Sequence, residues 1–155
     1  MITAWRLLKK SFVRHAFDGE GARLFGGRWN SPGIPMVYCS ATASLALLEV
    51  FANVQHSDLA AQFVLIACTF DESLVTQLEL SDLPSDWRRS PAPPELQQLG
   101  DRWILGGATP VLAVPSAIIE HEQNYLLNPR HDAFRRIKRA RAKPFTLDLR
   151  LLNAR

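Results

Sequence analysis

Three separated stretches of this 155-residue chain carry side chains suited to chemistry. The loop GARLFGGRWNSPG, residues 21–33, combines glycines with a cation at Arg28, an aromatic at Trp29 and an amide at Asn30. Glycines let backbone N–H groups approach anionic oxygens closely, and a guanidinium holds such oxygens with two parallel charge-assisted hydrogen bonds. The loop therefore suits a phosphate-bearing ligand. It matches neither a Walker A loop nor the GxGxxG fingerprint after a strand, and the same residues also read as a turn-rich loop with Arg28 in solvent and Trp29 covering the core. Glu49 stands in the apolar run LALLEVF, where a carboxylate either lines a narrow polar helix face or needs a buried partner. Thr42, Ala46, Glu49 and Asn53 share one face at helical spacing. Ser116 follows VLAVP, so a strand delivers it to a loop where functional side chains are common, although a cap or turn role is the plainer reading.

Other chemistries find less support. His15, His56, His121 and His131 show no HExxH or i, i+4 pairing, and Glu120-His121-Glu122 is not zinc spacing. Cys39 and Cys68 sit in the apolar segments VYCSA and VLIACTF without a CxxC pattern, which predicts buried free thiols. With 47% apolar and 21% charged residues the chain has the composition of an ordinary globular protein and predicts one domain over 1–155. Its apolar runs fall far short of the ~20 residues of a membrane span, and the start has no secretory pattern, so a cytoplasmic protein is expected. The net charge of +3 is unevenly spread. Residues 130–143, RHDAFRRIKRARAK, hold seven Lys or Arg against one Asp, giving +6, while the other eleven cations and fourteen anions leave −3.

These residues must be positioned by a mixture of strands and helices. TAWRLL, residues 3–8, favours a strand that SFVRHAF could extend or pair with. The glycine- and proline-rich run 19–35 predicts a long structured loop without regular elements. MVYCS reads as a short buried strand followed by a helix over ATASLALLEVFANV, capped by Thr42 or Ser44. AQFVLIACTF, residues 61–70, predicts a central strand covered on both faces. Pro94 near its start and Gly106 or Gly107 at its end bound an amphipathic helix. PVLAVPS predicts a strand stopped at Pro115, and KPFTLDLRL alternates like a strand with one wet face. The order lacks a regular β-α-β-α rhythm, so the fold class expected is α+β.

Taken together, WRL at Trp5–Leu7, AFDGEGARLFGGRWNSPG, VYCSATASLALLEV and VLAVPSAIIEHEQNYLLNP at Val111–Pro129 resemble, in that order, the RES domain family, the toxin half of bacterial RES-Xre toxin–antitoxin pairs. The likeness covers nearly the whole chain. The Arg, Glu and Ser that name the family look like Arg28 in GGRWN, Glu49 in LALLEV and Ser116 in AVPS. Tyr38 in VYCS corresponds to its active-site tyrosine. One local departure is Asp132 after His131, where the family often has His-Pro.

The resemblance implies an ADP-ribosyltransferase-like mixed-sheet core with flanking helices. It implies cleavage of the nicotinamide–ribose bond of NAD⁺ by hydrolysis or phosphorolysis, with NAD⁺ as substrate and no further cofactor or metal. In that reading Glu49 stabilises the developing ribose cation or holds a ribose hydroxyl, and Arg28 clamps the diphosphate. Tyr38 stacks against or orients the nicotinamide, Ser116 bonds the ribose or nicotinamide end, and Asn124 and Arg6 form the pocket wall. The implied partner is a cognate Xre-type helix-turn-helix antitoxin, with toxin self-association compatible and neither membrane nor direct nucleic-acid binding expected. Two alternatives stay open: ADP-ribosyl transfer to a protein, and an RNA-binding or ribonuclease module using residues 130–143.

Overall fold

The structure, a computed structural model, describes residues 1–151, and residues 152–155 lie outside the described part. Eight strands form one mixed sheet: β1 Ile2–Lys9, β2 Val37–Ser40, β3 Phe63–Phe70, β4 Val75–Gln77, β5 Val111–Pro115, β6 Gln123–Leu127, β7 Lys138–Arg139 and β8 Lys143–Phe145. Their order is β4-β5-β6-β2-β1-β3-β7, with β8 also pairing β3. Only β4 and β5 run parallel; the other pairs are antiparallel. Three α-helices, α1 Glu20–Phe25, α2 Ala43–Asn53 and α3 Pro94–Gly106, complete an α+β architecture. No helix among the described residues is long and apolar enough to cross a membrane.

Side-chain alternation gives the sheet two differently covered faces. On one, Ala4, Cys39, Cys68, Phe70, Tyr125 and Leu127 pack beneath Phe17, Phe134 and Ile137. Both cysteines are buried there as free thiols, as their apolar settings predicted. On the other face, α2 lays Ala46, Val50 and Phe51 over Trp5, Leu7 and Phe63. Beside it, α3 packs Leu96 and Ile104 over Leu112, Val114 and Leu126. The middle of the sheet is thinly joined. β1 matches β3 along all eight residues, whereas β1 and β2 share the single pair Trp5–Ser40.

The strand-then-helix unit stands as predicted. β2 ends at Ser40, and the Thr42 hydroxyl caps α2 by accepting the Leu45 N–H at 3.0 Å. α3 begins at Pro94 and stops at Gly107, whose φ of +62° closes the helix in the left-handed region. Four expectations are corrected. Residues 10–15 form a 3₁₀ turn instead of extending β1. The glycine-rich run contains the short helix α1, because Gly19 and Gly26 bracket it at φ +73° and +72°, the Asp18 side chain accepts the Glu20 N–H, and Glu20 pairs with Arg23 one turn on. β3 is buried on both faces but lies next to the sheet edge, with only short β7 and β8 on its outer side. KPFTLDLRL is a strand only to Phe145: Leu147 turns into the α2 cluster and Leu149 is exposed.

Candidate active site

The α2–α3 face of the sheet gathers three of the singled-out side chains in direct contact. Glu49 lies one turn beyond the buried pair Leu45–Ala46, so the packing that anchors α2 also aims the half-buried carboxylate toward the ends of β5 and β6. Its Oε1 accepts from Asn124 Nδ2 at 2.6 Å and from Ser116 Oγ at 3.3 Å. Asn124 is oriented in turn by Ser40, whose hydroxyl donates to Asn124 Oδ1 at 2.7 Å. These two residues face each other across the β2–β6 ladder. Ser116, fully buried, accepts the N–H groups of Ile118 and Ile119 at 3.1 Å each, so its own proton is directed to Glu49. Glu49 Oε2 makes no hydrogen bond among the described residues. The result is a carboxylate with one oxygen fixed and the other free.

Arg28 lies within electrostatic reach of this carboxylate. Burial pulls its guanidinium pKa down, and the charge of Glu49 acts in the opposite direction. Nη1 donates to the carbonyls of Trp87 at 2.9 Å and Arg89 at 3.2 Å. Tyr38 spends its hydroxyl internally: it donates to Asn30 Oδ1 at 2.7 Å and accepts the Trp29 N–H at 3.1 Å. Burial raises the phenol pKa well above its ordinary value, so the group stays protonated and its ring is what it can offer a ligand. Gly27 makes this possible, since a Cβ there would come within 2.6 Å of the Tyr38 hydroxyl.

Asn30 serves the loop and not a ligand. It is fully buried, and its amide donates to the carbonyls of Ala22, Ser31 and Ile34 at 2.8, 3.2 and 2.9 Å. Trp29 is 2% exposed and covers the α3 cluster, the packing role the sequence also allowed. Two residues that the sequence reading missed complete the support. Gln97 donates to the Gly27 and Asn30 carbonyls, and Asp101 accepts the Ser31 N–H at 3.0 Å. They stand four apart on α3, so helical periodicity from Pro94 was the signal that marked them as one face. Gly100 between them lets α3 press against the loop, because a Cβ there would collide with the Trp29 carbonyl.

Arg6 sits at the thin seam of the sheet. Its Nη1 donates to the Tyr38 carbonyl at 2.6 Å, while its buried Nε has no partner among the described residues. Alternation along β1 turns it to the face opposite Glu49, near Cys39, Cys68 and Asp18, where burial lowers its pKa. The structure thus joins Arg6 to the site through the Tyr38 backbone alone. Two hollows of about 350 Å³ each lie elsewhere. One is lined by Ile104, Gly107, Asn128 and His131, the other by Arg14, Phe17, Asp18 and Arg139. The basic stretch also belongs to the face opposite Glu49: Phe134 and Ile137 are buried there, and Arg139 lies 5.2 and 5.0 Å from the ring centres of Phe17 and Phe134.

Comparison with known proteins shows the family and the fold. The Toxin Res of Photorhabdus laumondii is 36% identical over 153 residues, which are 97% of each chain. The NAD(+) phosphorylase MbcT of Mycobacterium tuberculosis is 36% identical over 96 residues, 58% of this chain and 50% of that protein. The crystal structure of the Mycobacterium tuberculosis MbcT–MbcA toxin–antitoxin complex shares the fold, with a TM-score of 0.75 at 23% identity over 94% of this chain and 84% of that one. The RES domain model matches residues 3–148, a span that includes Arg6, Arg28, Tyr38, Glu49, Ser116 and Asn124. The chain belongs to the RES domain family.

Proposed function

We propose that this chain is the toxin of a bacterial toxin–antitoxin pair and acts in the cytoplasm by cleaving the nicotinamide–ribose bond of NAD⁺, depleting the cell of it. Family membership and the relatives' names support the reaction. The observation that carries the site assignment is Glu49, held by Asn124 and Ser116 through one oxygen, with no hydrogen bond to the other among the described residues and with Arg28 within electrostatic reach. Nicotinamide leaves NAD⁺ as a neutral molecule from a cationic pyridinium, so the reaction asks for little acid catalysis. Positive charge instead develops on the ribose as the bond lengthens, and a fixed carboxylate in a half-buried site stabilises it. In this reading Glu49 meets the ribose, Arg28 holds the diphosphate, the Tyr38 ring bounds the nicotinamide and Ser116 and Asn124 keep Glu49 aimed. Arg6 fixes the Tyr38 backbone from behind. NAD⁺ is the substrate, and the scheme uses no further cofactor.

The ADP-ribosyl acceptor is phosphate or water. A relative named as an NAD(+) phosphorylase favours phosphate. A cognate Xre-type helix-turn-helix antitoxin would silence the enzyme by covering this face, and a toxin–antitoxin complex with the same toxin fold supports such a partner. Mass spectrometry of NAD⁺ incubated with the purified chain, with and without phosphate and with lysate protein, tests the reading. Nicotinamide with ADP-ribose or its phosphorylated form is expected. Intact NAD⁺ rejects the reading, and ADP-ribose recovered on protein replaces it with the transferase alternative.

A further inference from the structure

The segment between β4 and α3 has so far supplied only two carbonyls. Residues 83–92 form a strap whose half-buried Leu83, Trp87 and Ala92 pack against the α3 cluster. Its own turns are closed by Trp87 N–H to the Pro84 carbonyl at 3.0 Å and Arg89 N–H to the Asp86 carbonyl at 2.9 Å. On one side, the Trp87 and Arg89 carbonyls accept from Arg28 Nη1. On the other, Arg88 donates from Nε and Nη2 to the Ala117 carbonyl, both at 3.3 Å, and its Nη1 lies 3.3 Å from a Glu120 carboxylate oxygen. Ala117 directly follows Ser116, the residue that meets Glu49. The strap therefore ties the wall that carries Arg28 to the wall that carries Glu49's partner.

We infer that Arg88 is a positioning residue for substrate binding: by gripping the loop after Ser116 it fixes the strap carbonyls that orient the Arg28 guanidinium. This rests on the reading that Arg28 holds the diphosphate. With Nη1 committed to two neutral carbonyls, Arg28 Nε and Nη2 make no hydrogen bond among the described residues and are left for phosphate oxygens. A guanidinium that is already oriented loses less freedom when the anion arrives. Arg88 has an exposed side chain, 43% accessible, so its removal leaves the core untouched.

The test compares Arg88→Ala, Arg88→Lys and Arg28→Ala by NAD⁺ turnover, melting temperature and backbone amide hydrogen exchange. Arg88→Ala should raise KM for NAD⁺ about fivefold, as expected for loss of a modest anchoring hydrogen bond, with kcat within about twofold and an unchanged melting temperature. Arg88→Lys keeps a cation for Glu120 and should recover part of the KM. Exchange at the Trp87 and Arg89 amides should quicken in both alanine variants. If Arg28→Ala raises KM and Arg88→Ala does not, the inference is overturned; so it is if Arg88→Ala lowers melting temperature, kcat and affinity together. If Arg28→Ala leaves KM unchanged, the diphosphate reading fails instead. In that case unaltered strap exchange in Arg88→Ala also overturns the grip assigned to Arg88.

Discussion

Replacing Glu49 with Gln separates charge from shape at the centre of the site. The amide oxygen of Gln still accepts from Asn124 Nδ2 and Ser116 Oγ, the two groups that hold Oε1 at 2.6 and 3.3 Å. A charge-assisted hydrogen bond is roughly twice as strong as a neutral one, so the fold should lose about 1 kcal/mol, a melting shift of about 2–4 °C for a chain of this size. The reaction should lose far more. A carboxylate in contact with a developing unit charge, ~4 Å away at an effective dielectric constant of about 20, contributes ~4 kcal/mol. That corresponds to a fall in kcat of about a thousandfold. KM should change less than kcat, because in the bound substrate the positive charge lies on the nicotinamide ring and shifts onto the ribose only as the bond lengthens. Turnover is read from NAD⁺ loss in purified protein, beside a thermal melt of the same preparation. A variant that melts like the parent and keeps kcat within about tenfold would show that the Glu49 charge is not what stabilises the transition state.

Three further outcomes follow from the loop and the cap. Gly27→Ala forces a methyl against the Tyr38 hydroxyl, 2.6 Å away, and should destabilise the fold by about 1–3 kcal/mol in urea titrations; an unchanged midpoint would contradict the close approach. Tyr38→Phe keeps the ring but strands the Asn30 carbonyl and Trp29 N–H, costing about 1–3 kcal/mol. Because burial raises the phenol pKa, the alkaline limb of the pH–rate profile should be the same in this variant and the parent. A limb that vanishes in Tyr38→Phe would show that the phenol ionises during turnover. Thr42→Ala removes the α2 cap and should cost about 1 kcal/mol with kcat nearly preserved; a melt identical to the parent would sink the capping assignment.

Legibility of the fold followed how local its causes are. The β2–α2 unit and α3 were readable because the cap Thr42, the opening Pro94 and the closing Gly107 act on their own segments. α1 was hidden because two of the run's glycines, Gly19 and Gly26, sit at its two ends with positive φ, while composition alone suggested a loop throughout. β6 was missed because Gln123 and Asn124 precede its apolar residues, and its strand character comes from partners on both edges, β2 and β5. β3 read as central because both its faces are covered, but covered faces do not specify which strands lie on its two edges. At the site, residue types and family likeness pointed to Arg28, Tyr38, Glu49, Ser116 and Asn124. The Ser40–Asn124–Glu49 chain depends on strand register and the internal use of Asn30 on how the loop folds back onto Ala22 and Ile34, neither of which one sequence displays.

The joint between β1 and β2 is the thinnest seam in the backbone ladder of the sheet. In the backbone ladder, one residue pair and a guanidinium reaching for a carbonyl join the halves, while Ala4, Cys68 and Phe70 pack across the seam against Val37, Cys39 and Tyr125. Because the backbone ladder is so short at this seam, side-chain packing is what keeps the halves in register, and α2, which grows from β2 yet packs on β1, bridges the joint and carries Glu49 with it.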